Sequence, residues 1–126
     1  MATLKTNTLT GTTTAGSIAV TGEGNSTTTN LQQGLAKAWS FCTQEVITDS
    51  LNTSSSSDVT TGKYTITLTN NTATANVAGS VTCNTNNNLN GHRSDVSTST
   101  YQIRLKDTSS NGVDANSGAL VHGDLA

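Results

Sequence analysis

The sequence predicts an all-β fold, a small antiparallel β-sandwich of jelly-roll-like character. Its knob domain spans residues 34–126 and follows an extended Thr-rich arm over residues 1–33. Three observations predict it. In Gly62-Lys63-Tyr64-Thr65-Ile66-Thr67-Leu68-Thr69-Asn70, Tyr64, Ile66 and Leu68 share one face and the Lys and Thr side chains share the other, the period of a half-buried strand. Thr100 to Lys106 repeats that alternation, with Tyr101, Ile103 and Leu105 in and Gln102, Arg104 and Lys106 out. Finally, 26 Thr, 15 Ser and 14 Asn stand among 126 residues with no Pro and a formal net charge of only −2. Low charge with abundant Thr suits a pleated, neutral surface better than a solvated coil.

Taken in order, residues 1–33 supply almost no core. Seven Thr fall between positions 3 and 14, with Leu4 and Leu9 as the sizeable apolar side chains. Ser17-Ile18-Ala19-Val20-Thr21 makes a short strand closed by Gly22-Glu23-Gly24-Asn25. Thr27-Thr28-Thr29-Asn30 then caps one helical turn through Leu31-Gln32-Gln33 that ends at Gly34. Such an arm is either disordered or laid across another surface, where unpaired strand edges take its hydrogen bonds. Leu4, Leu9, Ile18 and Val20 are its expected anchors.

The character changes at Leu35. On a strand over residues 35–41, Leu35, Trp39 and Phe41 share a face, which brings the only Trp and the only Phe together at the expected entrance to the knob core. Residues 46–51 make a second, weaker strand, and residues 52–61, with four consecutive Ser at 54–57, read as a polar loop. After the strand at 63–69 comes one over 76–83, with Val77, Val81 and Cys83 facing one way, then an Asn-rich loop over 84–94. Beyond the strand at 100–106 the chain turns over 107–111, Val113 begins a short strand and residues 119–122 make the last. The expected knob core is therefore Leu35, Trp39, Phe41, Tyr64, Ile66, Leu68, Tyr101, Ile103 and Leu105. About six strands spaced roughly 10–20 residues apart point to a sandwich.

Leu, Val, Ile and Phe number only 23 in the whole chain. Apolar burial yields ~25 cal/mol per Å², against ~1–2 kcal/mol of backbone entropy for each ordered residue. A chain so short of large apolar side chains folds best in company, and two Cys give no disulfide framework in its place. A homo-oligomer, or docking on a large partner, is expected. The first six residues carry no basic stretch ahead of an apolar run, so no secretion signal is expected. No apolar stretch approaches the ~20 residues of a membrane span. A pI near 5.4 with six scattered Lys and Arg argues against a nucleic-acid surface.

Several stretches agree, in order and spacing, with one group of proteins. Ala15-Gly16-Ser17-Ile18-Ala19-Val20-Thr21-Gly22-Glu23-Gly24 precedes Leu31-Gln32-Gln33-Gly34-Leu35-Ala36-Lys37-Ala38-Trp39. Asp49-Ser50-Leu51-Asn52 is followed, after a variable loop, by the strand from Gly62 to Asn70, then by Tyr101-Gln102-Ile103-Arg104 and a closing Gly123-Asp124. Over residues 3–124 the chain resembles small fibre-like or surface virion proteins of marine tailed bacteriophages. The loop at 54–61 lacks the Asn-Gly turn common in that group, and Cys42 and Cys83 are additions to it. The resemblance implies a virion structural protein without enzymatic activity, typically trimeric, assembled in the host cytoplasm onto the capsid exterior or a tail fibre. Its partners would be other copies and major capsid or tail and fibre proteins. A self-contained length favours a capsid decoration or cement protein. The alternative is a fibre-tip module whose loops at 54–61 and 84–95 touch host-surface glycans.

No cofactor, metal site or catalytic residue is expected. A Cys–His pair can make a nucleophile and base, but neither Cys lies in an activating context. Cys83 alternates with Val77 and Val81 as an apolar filler. Cys42 points opposite to Phe41 by the same alternation, so the two Cys fall on different faces and stay free thiols, as a reducing cytoplasm would keep them. His92 and His122 are the metal-ligand candidates, because trimeric fibres sometimes hold an axial ion through one His per chain, and both read as surface residues. Asp107, Asn111 and Asp114 miss the calcium-loop spacing. The triplets at Asn25, Asn52 and Asn70 match a glycosylation signal as chance produces in such a composition.

Overall fold

The computed structural model describes residues 3–12, 18–21, 28–83, 89–94 and 96–124. The expected turn at 22–25 and residues 84–88 and 95 of the expected Asn-rich loop lie outside these. The chain forms two compact units, Met1–Leu35 and Ala36–Ala126.

In the first unit, β1 (Ala19–Thr21) pairs antiparallel with β2 (Thr28–Asn30), and the single-turn helix α1 (Leu31–Gly34) follows directly. Leu31 N donates to Ile18 O at 2.7 Å, which ties the start of that turn to the hairpin. Leu4 and Leu9 are 75% and 56% exposed and Val20 43%, while Ile18 is half-buried.

The second unit is a β-sandwich of two four-stranded antiparallel sheets. The first sheet has the order β4-β3-β10-β7, with β3 at Ala36–Thr43, β4 at Val46–Leu51, β7 at Ala78–Cys83 and β10 at Ser117–His122. The second has the order β5-β6-β9-β8, with β5 at Thr53–Thr60, β6 at Lys63–Leu68, β8 at Asn90–Ser94 and β9 at Thr100–Lys106. Eight strands in two sheets match a jelly roll in number, but here three sequential pairs, β3–β4, β5–β6 and β8–β9, stay together as hairpins.

The second sheet supplies the bulk of the core. Tyr64, Ile66, Leu68, Tyr101, Ile103 and Leu105 are all buried, because β6 and β9 pair with their large side chains in one register, Tyr64 opposite Ile103 and Ile66 opposite Tyr101. The first sheet faces them with Ala38, Ser40 and Cys42 from β3 and Ser117, Ala119 and Val121 from β10. Facing sheets stand ~10 Å apart, so large side chains on one inner face need small ones on the other.

That size matching corrects the expected core. β3 sits in the opposite phase: Trp39 and Phe41 point outward and are partly exposed, while Ala38, Ser40 and Cys42 point in. Leu35 belongs to the first unit and is 55% exposed. Hydrophobicity favours Trp and Phe inside, but two tyrosines already fill the space that they would need. The bulge where Val121 and His122 pair with β3 accommodates Lys37, which is buried beside Ala38.

Two stretches expected as loops are strands. The Ser run at 54–57 lies within β5, an edge strand paired to β6 along its length and bulged at two places. Residues 90–94 form β8, the other edge of the same sheet. Ser and Asn are poor strand formers, yet pairing with a buried neighbour overrides propensity, and a short polar bulged edge resists further pairing. Arg93 on β8 points inward, another edge-blunting device, and its Nη2 donates to Val77 O at 2.6 Å.

Asn52 turns the chain from the first sheet to the second. Its φ is 56°, a left-handed conformation that Asn tolerates. Its Nδ2 donates to Lys37 O and Asn70 O, each at 3.0 Å, and its Oδ1 accepts from Asn70 N at 2.7 Å. One side chain thus ties β3 to the end of β6. At the opposite turn, Gly62 (φ 70°) donates N–H to Asp114 Oδ1 at 2.6 Å and accepts from Leu105 N at 2.7 Å.

Candidate functional site

Strand register builds two rows of side chains on the outer face of the first sheet. Leu51, Trp39, Leu120 and Ser80 make one row across β4, β3, β10 and β7, and Asp49, Phe41, Gly118 and Thr82 make the next. Trp39, Phe41 and Leu120 are each partly exposed and Leu51 is 48% exposed. Between them lies a shallow groove of about 320 Å³ whose floor is Gly118. A Cβ there would sit 3.1 Å from Thr82 Oγ1, so the missing side chain keeps the floor open between Phe41 and Thr82. The face thus presents aromatic and aliphatic surface rimmed by Asp49, Ser80 and Thr82, the apolar centre and polar edge of a protein contact surface.

The interior holds the polar chemistry. Ser40 Oγ and Tyr101 Oη lie 2.9 Å apart across the sandwich, and Tyr64 Oη hydrogen-bonds Ser117 Oγ in the same way. Each large side chain carries a polar tip, and each small one opposite it answers that tip. Burial, opposed by the Ser40 contact, pushes the Tyr101 hydroxyl up to about 12; burial raises Tyr64 as well, against its bond to Ser117. Burial also raises the thiols of Cys42 and Cys83. A nucleophilic thiol needs the reverse shift.

The two Cys share the inward face, which corrects the expectation that they point to different faces. Both pair with Ser117, Cys42 from β3 and Cys83 from β7, so β10 runs between them. Two strand spacings, about 9.6 Å, exceed the Cα separation that a disulfide spans. Both thiols are free.

His92 and His122 lie in different sheets, on β8 and at the end of β10. Among the described residues no three His, Cys, Asp or Glu side chains are grouped as metal ligands would be, and no helix is long and apolar enough to cross a membrane. Asp107 is engaged by its own turn: Ser109 N and Asn111 N both donate to its Oδ1 at 2.9 Å, and the Asn111 contacts hold its carboxyl below the usual range.

Comparison with protein-family models, with curated proteins and with solved structures finds no match for this chain. The outward Trp39 and Phe41 are the site residues that hydrophobicity alone misassigns. The signal that finds them is the size pattern Ala38-Ser40-Cys42, which fits opposite Tyr64 and Tyr101.

Proposed function

We propose that this protein is a non-enzymatic structural component of a bacteriophage particle, a capsid decoration or cement protein that works by joining subunits. The observation that carries the reading is the placement of the only Trp and the only Phe on the outside of the first sheet, beside Leu51 and Leu120. A chain with 23 large aliphatic and Phe side chains leaves these on its surface where a neighbour can cover them. The exposed Leu4, Leu9 and Val20 of the first unit supply a second set of contacts. The resemblance of ordered motifs over residues 3–124 supports the virion setting.

In this mechanism the outer face of the first sheet packs against neighbouring copies, as a trimer. The N-terminal unit reaches adjacent capsid subunits. Decoration then adds contacts across the seams between capsomers and resists internal pressure. Quantifying the protein in purified particles and locating it by imaging tests the proposal. Decoration requires copies in the hundreds distributed over the head, as capsid symmetry dictates, whereas about a dozen copies at the tail overturn it.

A further inference from the structure

From the edges of the two sheets we infer that residues 3–12 of one copy add a strand along β7 of a neighbouring copy. This pairing rests on the assembly reading above, in which copies associate, and supplies a bond between them; the β1–β2 hairpin stays available to the capsid.

Each four-stranded sheet ends in two edge strands, β4 and β7 in the first and β5 and β8 in the second. An edge presents unpaired N–H and C=O groups, and bulges, inward charges or short length normally keep another strand from taking them. Three of these edges carry such devices. β4 has an extra residue at Thr48, since Phe41 pairs with Asp49 and Cys42 with Ile47. β5 breaks register twice, and β8 runs for only five residues and turns Arg93 inward. β7 has none of them. It pairs with β10 in unbroken register from Ala78, opposite His122, to Cys83, opposite Ser117. It holds no Pro and no charged residue, and Ala78, Gly79, Ser80 and Thr82 are exposed.

The chain also carries a strand pattern without a sheet. Thr6, Thr8, Thr10 and Thr12 alternate with Asn7, Leu9 and Gly11, the period of a strand written in a residue that favours one. Residues 3–12 nonetheless belong to no strand, and all but Gly11 are exposed. Their hydrogen bonds among the described residues are local, Thr6 Oγ1 donating to Thr8 O at 2.7 Å and accepting from Thr8 N at 3.3 Å. Every copy thus brings one unpaired strand and one open edge. Pairing between copies satisfies both, whereas a foreign strand on β7 leaves residues 3–12 bare. Strand addition of this kind is held by main-chain hydrogen bonds and made specific by alternate side chains. With Asn7, Leu9 and Gly11 on the outer side, Leu9 extends the apolar surface of Trp39 and Leu120 beyond Ser80. The contact joins two different surfaces, and an arm passed from copy to copy closes a ring, in keeping with a trimer.

The test is hydrogen exchange of the full chain, read by peptide mass spectrometry below and above the association midpoint found by sedimentation, and repeated with Asn7→Pro/Thr8→Pro and Asn7→Ala/Thr8→Ala. Adjacent N–H groups of a strand point to opposite sides, so the two prolines remove a donor from whichever side meets β7, while Leu4 and Leu9 stay. On association, residues 3–12 and the edge-facing amides of Ala78–Cys83 are expected to exchange about a hundredfold more slowly, with one shared midpoint. The proline variant raises that midpoint about tenfold or more with the circular dichroism of the sandwich unchanged, and the alanine variant raises it by less than about threefold. An oligomer whose residues 3–12 exchange freely, or a proline variant that associates like the parent, overturns the arm pairing and leaves the packing of outer faces standing. Equal protection of residues 3–12 at every dilution places the segment on its own copy and overturns the pairing too. A monomer at every concentration overturns the assembly reading and the pairing with it.

Discussion

The contact between Ser40 and Tyr101 allows the interior to be tested one hydrogen bond at a time. Both side chains are almost wholly buried, at 2% and 1% exposure, and their oxygens lie 2.9 Å apart between the sheets. Tyr101→Phe removes one atom and leaves the Ser40 hydroxyl facing the ring edge, with the Cys42 thiol as its remaining side-chain neighbour. Ser40→Ala leaves the phenol buried and unpartnered. An orphaned buried polar group costs ~1–3 kcal/mol, whereas removing both partners of a neutral pair is nearly neutral. Each single substitution is therefore expected to destabilise by about 1–3 kcal/mol, and Ser40→Ala/Tyr101→Phe by no more than the worse single. The coupling energy then comes to at least the smaller of the two single losses, about 1–3 kcal/mol. Urea unfolding of all four proteins, followed by far-UV circular dichroism, measures it, and each kcal/mol lowers the melting temperature by ~4–8 °C in a domain of this size. If the two effects simply add, the hydrogen bond across the sandwich is refuted.

Further predictions follow from the same geometry. Burial raises the Tyr64 and Tyr101 hydroxyls above the unfolded value near 10, so their contribution to stability is complete below pH 10 and is lost as pH climbs above it, for Tyr101 through about 12. Each adds a slope of ~1.4 kcal/mol per pH unit, and Tyr64→Phe with Tyr101→Phe flattens the profile of urea midpoint against pH. Gly62→Ala requires a positive φ and drives its Cβ into the backbone at Val113 and Leu105, so a loss above about 2 kcal/mol is expected in thermal unfolding. Asn52→Gly loses the ties to Lys37 and Asn70 but keeps the left-handed turn, whereas Asn52→Ala loses both and is less stable by a further ~1 kcal/mol.

Alternation made β6 and β9 legible, because each offers three large apolar residues on one face and polar residues on the other. β3 was not, because both of its faces carry apolar residues. Its phase is decided by volume in the opposing sheet, which lies some 25 and 60 residues away in sequence. The Ser run of β5 has the composition of a loop and becomes a strand only through its pairing with β6. Asn52 looked like loop polarity, although its four side-chain contacts close the corner between sheets. The open edge at β7 is invisible to a linear reading, since sheet order alone shows which strands lie outermost.

Sedimentation of the intact chain across the micromolar range, with Trp39 emission recorded on the same samples, tests association through the first sheet most directly. Trp39 is the only Trp, so its emission reports on that face alone. The account predicts a concentration-dependent oligomer with emission shifting to the blue as it forms, both abolished by Phe41→Ser/Leu120→Ser, which keeps Trp39, without loss of the β-sandwich signal. A folded monomer at every concentration, with Trp39 emission unchanged, contradicts it.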